Sequence, residues 1–207
     1  MRIITISRQF GSGGRELGRR LAEGLGWDYY DRELIDRLAE EHGLEPDYVK
    51  KALANHGWHD MPLTYRNSFS HGLYDPGMST QLRIREREIL QGVAALGSDC
   101  VIVGRDADVI LEEQRPFRMF ICADIDARLR RCMQHELGRP EAERLSEREV
   151  LRSILRIDKN RRHTREILTG RHHGDSSVFD LTVNTTDRNI KKLAGALEAF
   201  ALSWFED

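Results

Sequence analysis

The sequence predicts an α/β domain built on a five-stranded parallel sheet with helices on both faces. Three observations carry that prediction. Short apolar, β-branched runs recur along the chain, as buried parallel strands require. Stretches with helical spacing of apolar residues alternate with them, which is the pattern of a layered α/β sheet. The first run also passes through a glycine-rich turn straight into a helix.

That first element spans Arg2 to Leu25. Ile3, Ile4 and Ile6 form the strand, Gly11-Ser12-Gly13-Gly14 the turn, and Leu17, Leu21 and Leu25 the helix face. Strand, glycine loop and helix make a phosphate-binding layout. Glycines let several N–H groups turn inward, and the helix N-terminus adds partial positive charge. The expected phosphate-binding residues are Phe10, Gly11, Ser12, Gly13, Gly14, Arg15 and Glu16. The loop departs from the Walker pattern. Arg8 stands for the first glycine, Gly14 for the lysine, and Arg15-Glu16 where a magnesium-holding hydroxyl belongs. Arg15 is the expected substitute for the lysine's charge, with fork geometry suited to phosphate oxygens.

At 207 residues the chain fits one domain with insertions, about 43–80 and a lid about 138–176. A net charge of −2 argues against global attraction to nucleic acid or to an anionic membrane, so any cationic site is local. No apolar run approaches transmembrane length, and no signal peptide is expected, because the sequence enters its first strand immediately. Cys100, Cys122 and Cys132 lack metal spacing, so buried free thiols in a reducing cytoplasm are expected.

Further along, Gly26 ends the first helix and Trp27 to Tyr30 form a second strand. Asp31 either caps the helix of Leu34, Ile35 and Leu38 or stands at the carboxyl edge of the sheet, where ligands bind. Pro46 restarts a helix carrying Val49, Ala52 and Leu53. Residues 55–79 crowd histidine, aromatic and proline residues without a period, as an inserted flap would. Their histidine spacing fits no usual metal site, and no metal ligands are assigned. Leu82 to Leu96 is helical again.

Cys100 to Val103 is the expected central strand, followed by Gly104-Arg105-Asp106. Arg105 and Asp106 there either grip a phosphate together or form a structural ion pair before the helix from Ala107. Phe117 to Cys122 is the fourth strand, and Asp124 and Asp126 precede a helix with Leu129, Cys132 and Met133 on its apolar side. Ser146-Glu147-Arg148-Glu149 is a capping box opening a long helix with Val150, Ile154, Leu155 and Ile157. Its basic residues crowd around Asp158-Lys159-Asn160-Arg161-Arg162; like charges one turn apart repel, and a bound anion would relieve them. Thr169 to Asp175 is a turn or lid tip, Phe179 to Asn184 the last strand, and Asp187 the cap of a final helix reaching Trp204.

These residues together resemble the cytidylate kinase-like family, a branch of the P-loop nucleoside monophosphate kinases. The resemblance rests on residues 3–16, Tyr29-Tyr30-Asp31, residues 101–108, Asp158 to Arg162, Thr169-Gly170 and residues 179–185. It implies a three-layer P-loop kinase fold with lid and acceptor-binding insertions. It implies phosphoryl transfer from ATP, with magnesium, to a nucleoside monophosphate, CMP or dCMP first. Asp31, Arg105 and Asp106 match acceptor-binding positions, and Asp158 and Arg161 match the lid unit that meets the transferring phosphate; Arg162 is a further candidate beside them. With Arg15 these are the expected catalytic residues. Three other readings stay open: a nucleotide-binding module with weak or no turnover, a kinase for another small acceptor and, weakest, direct nucleic-acid binding through the basic stripe at 148–171.

Overall fold

A computed structural model of the chain describes residues 1–31, 35 and 80–206. The expected helices around Leu38 and Pro46, and the flap at 55–79, lie outside the described residues.

Five strands form one parallel sheet: β1 Ile3–Arg8, β2 Asp28–Tyr30, β3 Cys100–Val103, β4 Phe117–Cys122 and β5 Leu181–Asn184. Their order is β2-β3-β1-β4-β5. β1 is therefore central, with Ile6 beside Val103 on one flank and Arg8 beside Ile121 on the other. Because every pairing is parallel, all five carboxyl ends lie on one edge. Central strands are buried on both faces, which is why β1, β3 and β4 are nearly continuous apolar runs. β5 alternates half-buried and exposed residues, as an edge strand does.

The helices are α1 Gly14–Leu25, α2 Thr80–Ala95, α3 Ala107–Ile110, α4 Ile125–Leu137, α5 Glu147–Thr169 and α6 Ile190–Trp204. On one face of the sheet Leu17, Leu21 and Ala22 of α1 and Ala194 and Ala201 of α6 pack against Ile4, Ile6, Val101, Val103, Met119 and Ile121. On the other, Ile35 and Ile89, Leu90 and Val93 of α2 pack against Ile3, Tyr30, Cys100 and Ile102. A third core joins Cys132 of α4 to Val150, Ile154 and Ile157 of α5, and Phe10 from the glycine loop fills it.

The capping box of α5 forms as expected: Ser146 accepts from the Glu149 amide at 3.4 Å and Glu149 accepts from the Ser146 amide at 2.8 Å. Other expectations need correction. Asp187 does not cap α6. It sits at φ 52 in an exposed pair with Arg130, and Asn189 accepts from the Lys192 amide at 3.0 Å instead. The last strand starts at Leu181, because Asp180 turns its carboxylate onto the Arg118 amide and guanidinium. Leu155 is 53% exposed and belongs to no core. Trp204 stacks on Phe117 at 4.7 Å between centroids but keeps an exposed side. The three cysteines are free; Cys100 and Cys132 are buried and Cys122 partly so. Burial pushes the Cys100 and Cys132 thiols up to about 12, which makes them inert.

Candidate functional site

The carboxyl edge of the sheet gathers the residues that the sequence singles out. The glycine loop leaves β1 there, and the carbonyls of Arg8, Phe10, Gly11 and Ser12 are taken by donors from outside it. Arg161 Nη1 donates to Arg8 O at 3.0 Å, Arg128 Nε to Phe10 O at 2.9 Å, and Arg131 Nη1 to Gly11 O at 3.5 Å. Thr185 Oγ1 donates to Ser12 O at 2.6 Å. In a planar trans peptide the next N–H points opposite to the carbonyl. The amides of Gly11 and Gly13 are thereby turned to the inner side of the loop. The Ser12 amide and hydroxyl both return to Gln9 O, at 3.4 and 2.8 Å, and tighten the turn.

α1 then starts without a side-chain cap. Gly13, at φ 81, is its N-cap residue, and the first amide bonded along the helix is that of Leu17, to Gly13 O at 2.9 Å. The amides of the first turn have no helical carbonyl to reach, which is the condition for an anion seat. Gly13 is glycine for two reasons: its φ is left-handed, and a Cβ there would lie 2.8 Å from Ile190 Cδ1. Phe10 plays a different part from the one expected. Its amide donates to Asp158 Oδ1 at 2.8 Å and its ring is buried, so it fastens the loop to α5 rather than lining the hollow.

The expected lysine substitute, Arg15, turns toward the second strand. Its Nε donates to Asp31 Oδ2 at 2.6 Å, and Asp31 is 4% exposed. The Tyr29 hydroxyl stands 3.3 Å from the same oxygen and 3.4 Å from Arg15 O. Asp31 thus stands at the sheet edge with its carboxylate on Arg15, and its carbonyl accepts from the Ile35 amide at 3.0 Å. Glu16 accepts from Arg20 Nε at 2.8 Å, one helical turn on.

Arg105 and Asp106 lie side by side but do not pair with each other. Arg105 Nη1 binds Glu86 Oε1 of α2 at 2.5 Å, and both side chains are about nine-tenths buried. Asp106 meets Arg165 Nη1 of α5 at 3.2 Å. Both sit at positive φ, 59 and 49, where a non-glycine backbone is uncommon. Burial, with Asp108 adding to it, raises the Asp106 carboxyl against the pull of Arg165 and Arg8.

The residues expected of a lid divide by the face of α5 that they occupy. Asp158, Arg161 and Arg165 follow an i, i+3, i+7 spacing and turn toward the sheet edge. Asp158 Oδ2 accepts from Arg128 Nη2 at 2.6 Å, and Arg161 lies 5.6 Å from the Phe10 ring centre. Arg165, 1% exposed, grips Asp108 through two bonds of 3.0 and 2.6 Å. Arg162 is exposed on the outer side. Past the helix, His173 sits edge-on against Phe120 at 5.1 Å, which seats the turn after α5 on β4.

Arg8, Arg128, Arg131 and Arg165 belong to this site although none was selected from the sequence. Arg165 was hidden in a stripe of basic residues, yet its spacing from Asp158 and Arg161 was visible. Arg128 and Arg131 share a helical face with buried Cys132, which is the same kind of signal. Arg8 was visible only as a departure from a pattern.

A model of the cytidylate kinase-like family matches residues 3–187. No curated protein matches the sequence. Among solved structures, an uncharacterized protein from Eubacterium ventriosum ATCC 27560 superposes with TM-score 0.70 at 22% identity, covering 98% of this chain and 99% of that one. Shikimate kinase from Acinetobacter baumannii, in complex with shikimate, gives 0.52 at 18% identity over 98% and 94% of the two chains. Shikimate kinase from Bacteroides thetaiotaomicron gives 0.53 at 16% over 96% and 97%. At these identities the likeness is one of fold, that of the P-loop kinases.

Proposed function

The chain belongs to the cytidylate kinase-like family, and from that membership we propose that it transfers the γ-phosphoryl group of ATP to a nucleoside monophosphate, CMP or dCMP first. The observation that supports this most is the loop whose Phe10, Gly11 and Ser12 carbonyls are held from outside, which faces the Gly11 and Gly13 amides and the start of α1 inward. A donor polyphosphate fits such a seat.

Phosphoryl transfer asks a protein mainly for positioning, charge neutralisation and exclusion of water. An acceptor phosphate oxygen forms a bond to the γ-phosphorus. The bond to the bridging oxygen breaks, and ADP leaves with its electron pair. The acceptor oxygen is already anionic, so no general base is required. Gly11, Ser12, Gly13, Gly14, Arg15 and Glu16 would surround the donor phosphates through the loop and first helical turn. Asp31, with Arg15 held beside it, and Arg105 would face the acceptor. Arg161, anchored on the loop's first carbonyl, would meet the moving phosphoryl group; Arg162 would join it only if α5 turned. Asp158 positions both the loop and Arg161, from which its Oδ1 lies 3.6 Å. Magnesium is a hard, well-hydrated cation that would arrive with ATP, and Asp106 offers a carboxylate to its water shell.

Glu16 bonded to Arg20, where a metal-holding hydroxyl belongs, favours the second reading, a nucleotide-binding module with slow or no turnover. A coupled assay with ATP-Mg against CMP, dCMP, UMP, AMP and non-nucleotide acceptors, shikimate included, tests all readings. Turnover on a pyrimidine monophosphate is the expected result. ATP binding without transfer to any acceptor would select the binding module, and transfer only to a non-nucleotide would move the acceptor class.

A further inference from the structure

We infer that Arg8, from the end of β1, supplies the positive charge that a loop lysine would bring to the donor phosphates. The inference rests on the donor-loop reading above. The two departures from the Walker pattern at positions 8 and 14 are spatially one. A Cβ built on Gly14 would lie 2.8 Å from Arg8 Cβ and 3.2 Å from Arg8 Cγ. A lysine at 14 and an arginine at 8 therefore compete for the same space. This chain fills it from the strand side and leaves the helix side bare.

The Arg8 side chain runs past Gly14 to the β3 edge. Its guanidinium comes to rest against Gly104, where a Cβ would collide with it. That places a permanent cation between the start of α1 and the Gly104-Arg105-Asp106 turn, the interval in which a polyphosphate seated on the loop would lie. The field of this cation reaches Tyr29 on β2, Asp106 beyond β3 and His173 in the turn after α5. The backbone of the same residue is fixed by Arg161 through Arg8 O, so the strand end does not drift. Arg15 is drawn away from this interval to Asp31. A guanidinium offers planar, paired donors to phosphate oxygens and holds its charge throughout the accessible pH range.

Calorimetric titration of the full chain with tripolyphosphate and with ATP-Mg tests this. The series comprises the wild type, Arg8→Gln, Arg8→Met, Arg8→Lys and the double variant Arg8→Gly/Gly14→Lys, with folding checked by near-ultraviolet circular dichroism. The neutral variants are expected to lose roughly tenfold or more in affinity for both probes, the worth of one charge-assisted contact. Arg8→Lys should regain part of the loss. The double variant, which moves the cation to the helix and removes the Arg8 atoms while leaving Ile121 Cβ at 3.2 Å from the new Cβ, should come within a few-fold of wild type. A folded neutral variant that binds both probes as the wild type does overturns the role of Arg8 and leaves the donor-loop reading standing. A wild type that binds neither probe overturns both. If neither neutral variant folds, the double variant decides: affinity near wild type upholds the role, and its loss overturns it.

Discussion

Arg161 and Arg162 are adjacent in the chain but separated by the curvature of α5, and that separation ranks their roles. Arg161 is half-buried and bonded to Arg8 O at 3.0 Å, whereas Arg162 is exposed. Arg161→Ala is expected to lower turnover by about 10³-fold, the scale for loss of a transition-state arginine, with a far smaller change in ATP affinity. Equal losses in both quantities would reject that role, and steady-state kinetics beside calorimetry separates them. Arg162→Ala should cost much less. Arg165 is a different case. Its doubly bonded pair with Asp108 is almost fully buried, so Arg165→Met strands a carboxylate. A loss of about 3–5 kcal/mol is expected in urea unfolding. The sequence shows all these arginines as one basic stripe; counting their spacing separates 161 and 165 from 162, while only the coordinates reveal Asp108 as the buried partner.

At the scale of elements, the glycine loop and the turn after α5 carry separate predictions. Gly13→Ala meets both a left-handed φ and Ile190 Cδ1, so it should destabilise the fold by more than about 1 kcal/mol and weaken tripolyphosphate binding. In the turn after α5, burial first, then the charges of Arg161, Arg165 and Arg8, lower His173 from an ordinary value of 6.5 to about 4. Between those values the unfolded chain binds a proton that the folded chain refuses. Stability contributed by this group is therefore present above about pH 6.5 and is lost as pH falls toward 4. His173→Gln should flatten that part of the pH profile in urea unfolding; an unchanged slope would assign it to other groups. Strands were the most legible elements. Cys100–Val103 and Phe117–Cys122 begin and end where the apolar runs do, since the buried segment is the run itself. Phe179 and Asp180 precede β5: the Asp180 amide reaches Arg118 O at 2.8 Å, but its carboxylate rather than a main-chain carbonyl takes the Arg118 amide, and Phe179 packs on Phe120 at 5.1 Å.

For the whole molecule, the prediction is a linkage. Ligand that binds only the folded state stabilises it by about 2.7 kcal/mol at a hundredfold excess over Kd. ATP-Mg should therefore raise the melting temperature, whereas a chain without a donor seat would show no shift. Among the described residues no helix is long and apolar enough to cross a membrane. The parallel sheet and its edge were legible from alternating strands and helices, and the edge then gathers Arg8, Asp31, Asp106 and Thr185 from distant parts of the sequence. What was not legible is how that edge is wired. Ion pairs such as Arg15 with Asp31 and Arg105 with Glu86 depend on side-chain reach across elements, which spacing within one element does not encode.

One carboxylate, Asp158, holds the Phe10 amide at 2.8 Å and the Arg128 guanidinium at 2.6 Å. Loop and helix are thereby bolted to a common pin, so whatever swings α5 also tugs the glycine loop. Under the proposed function, nucleotide entry and helix travel would then be coupled, and a neutral amide at this position should slacken both together.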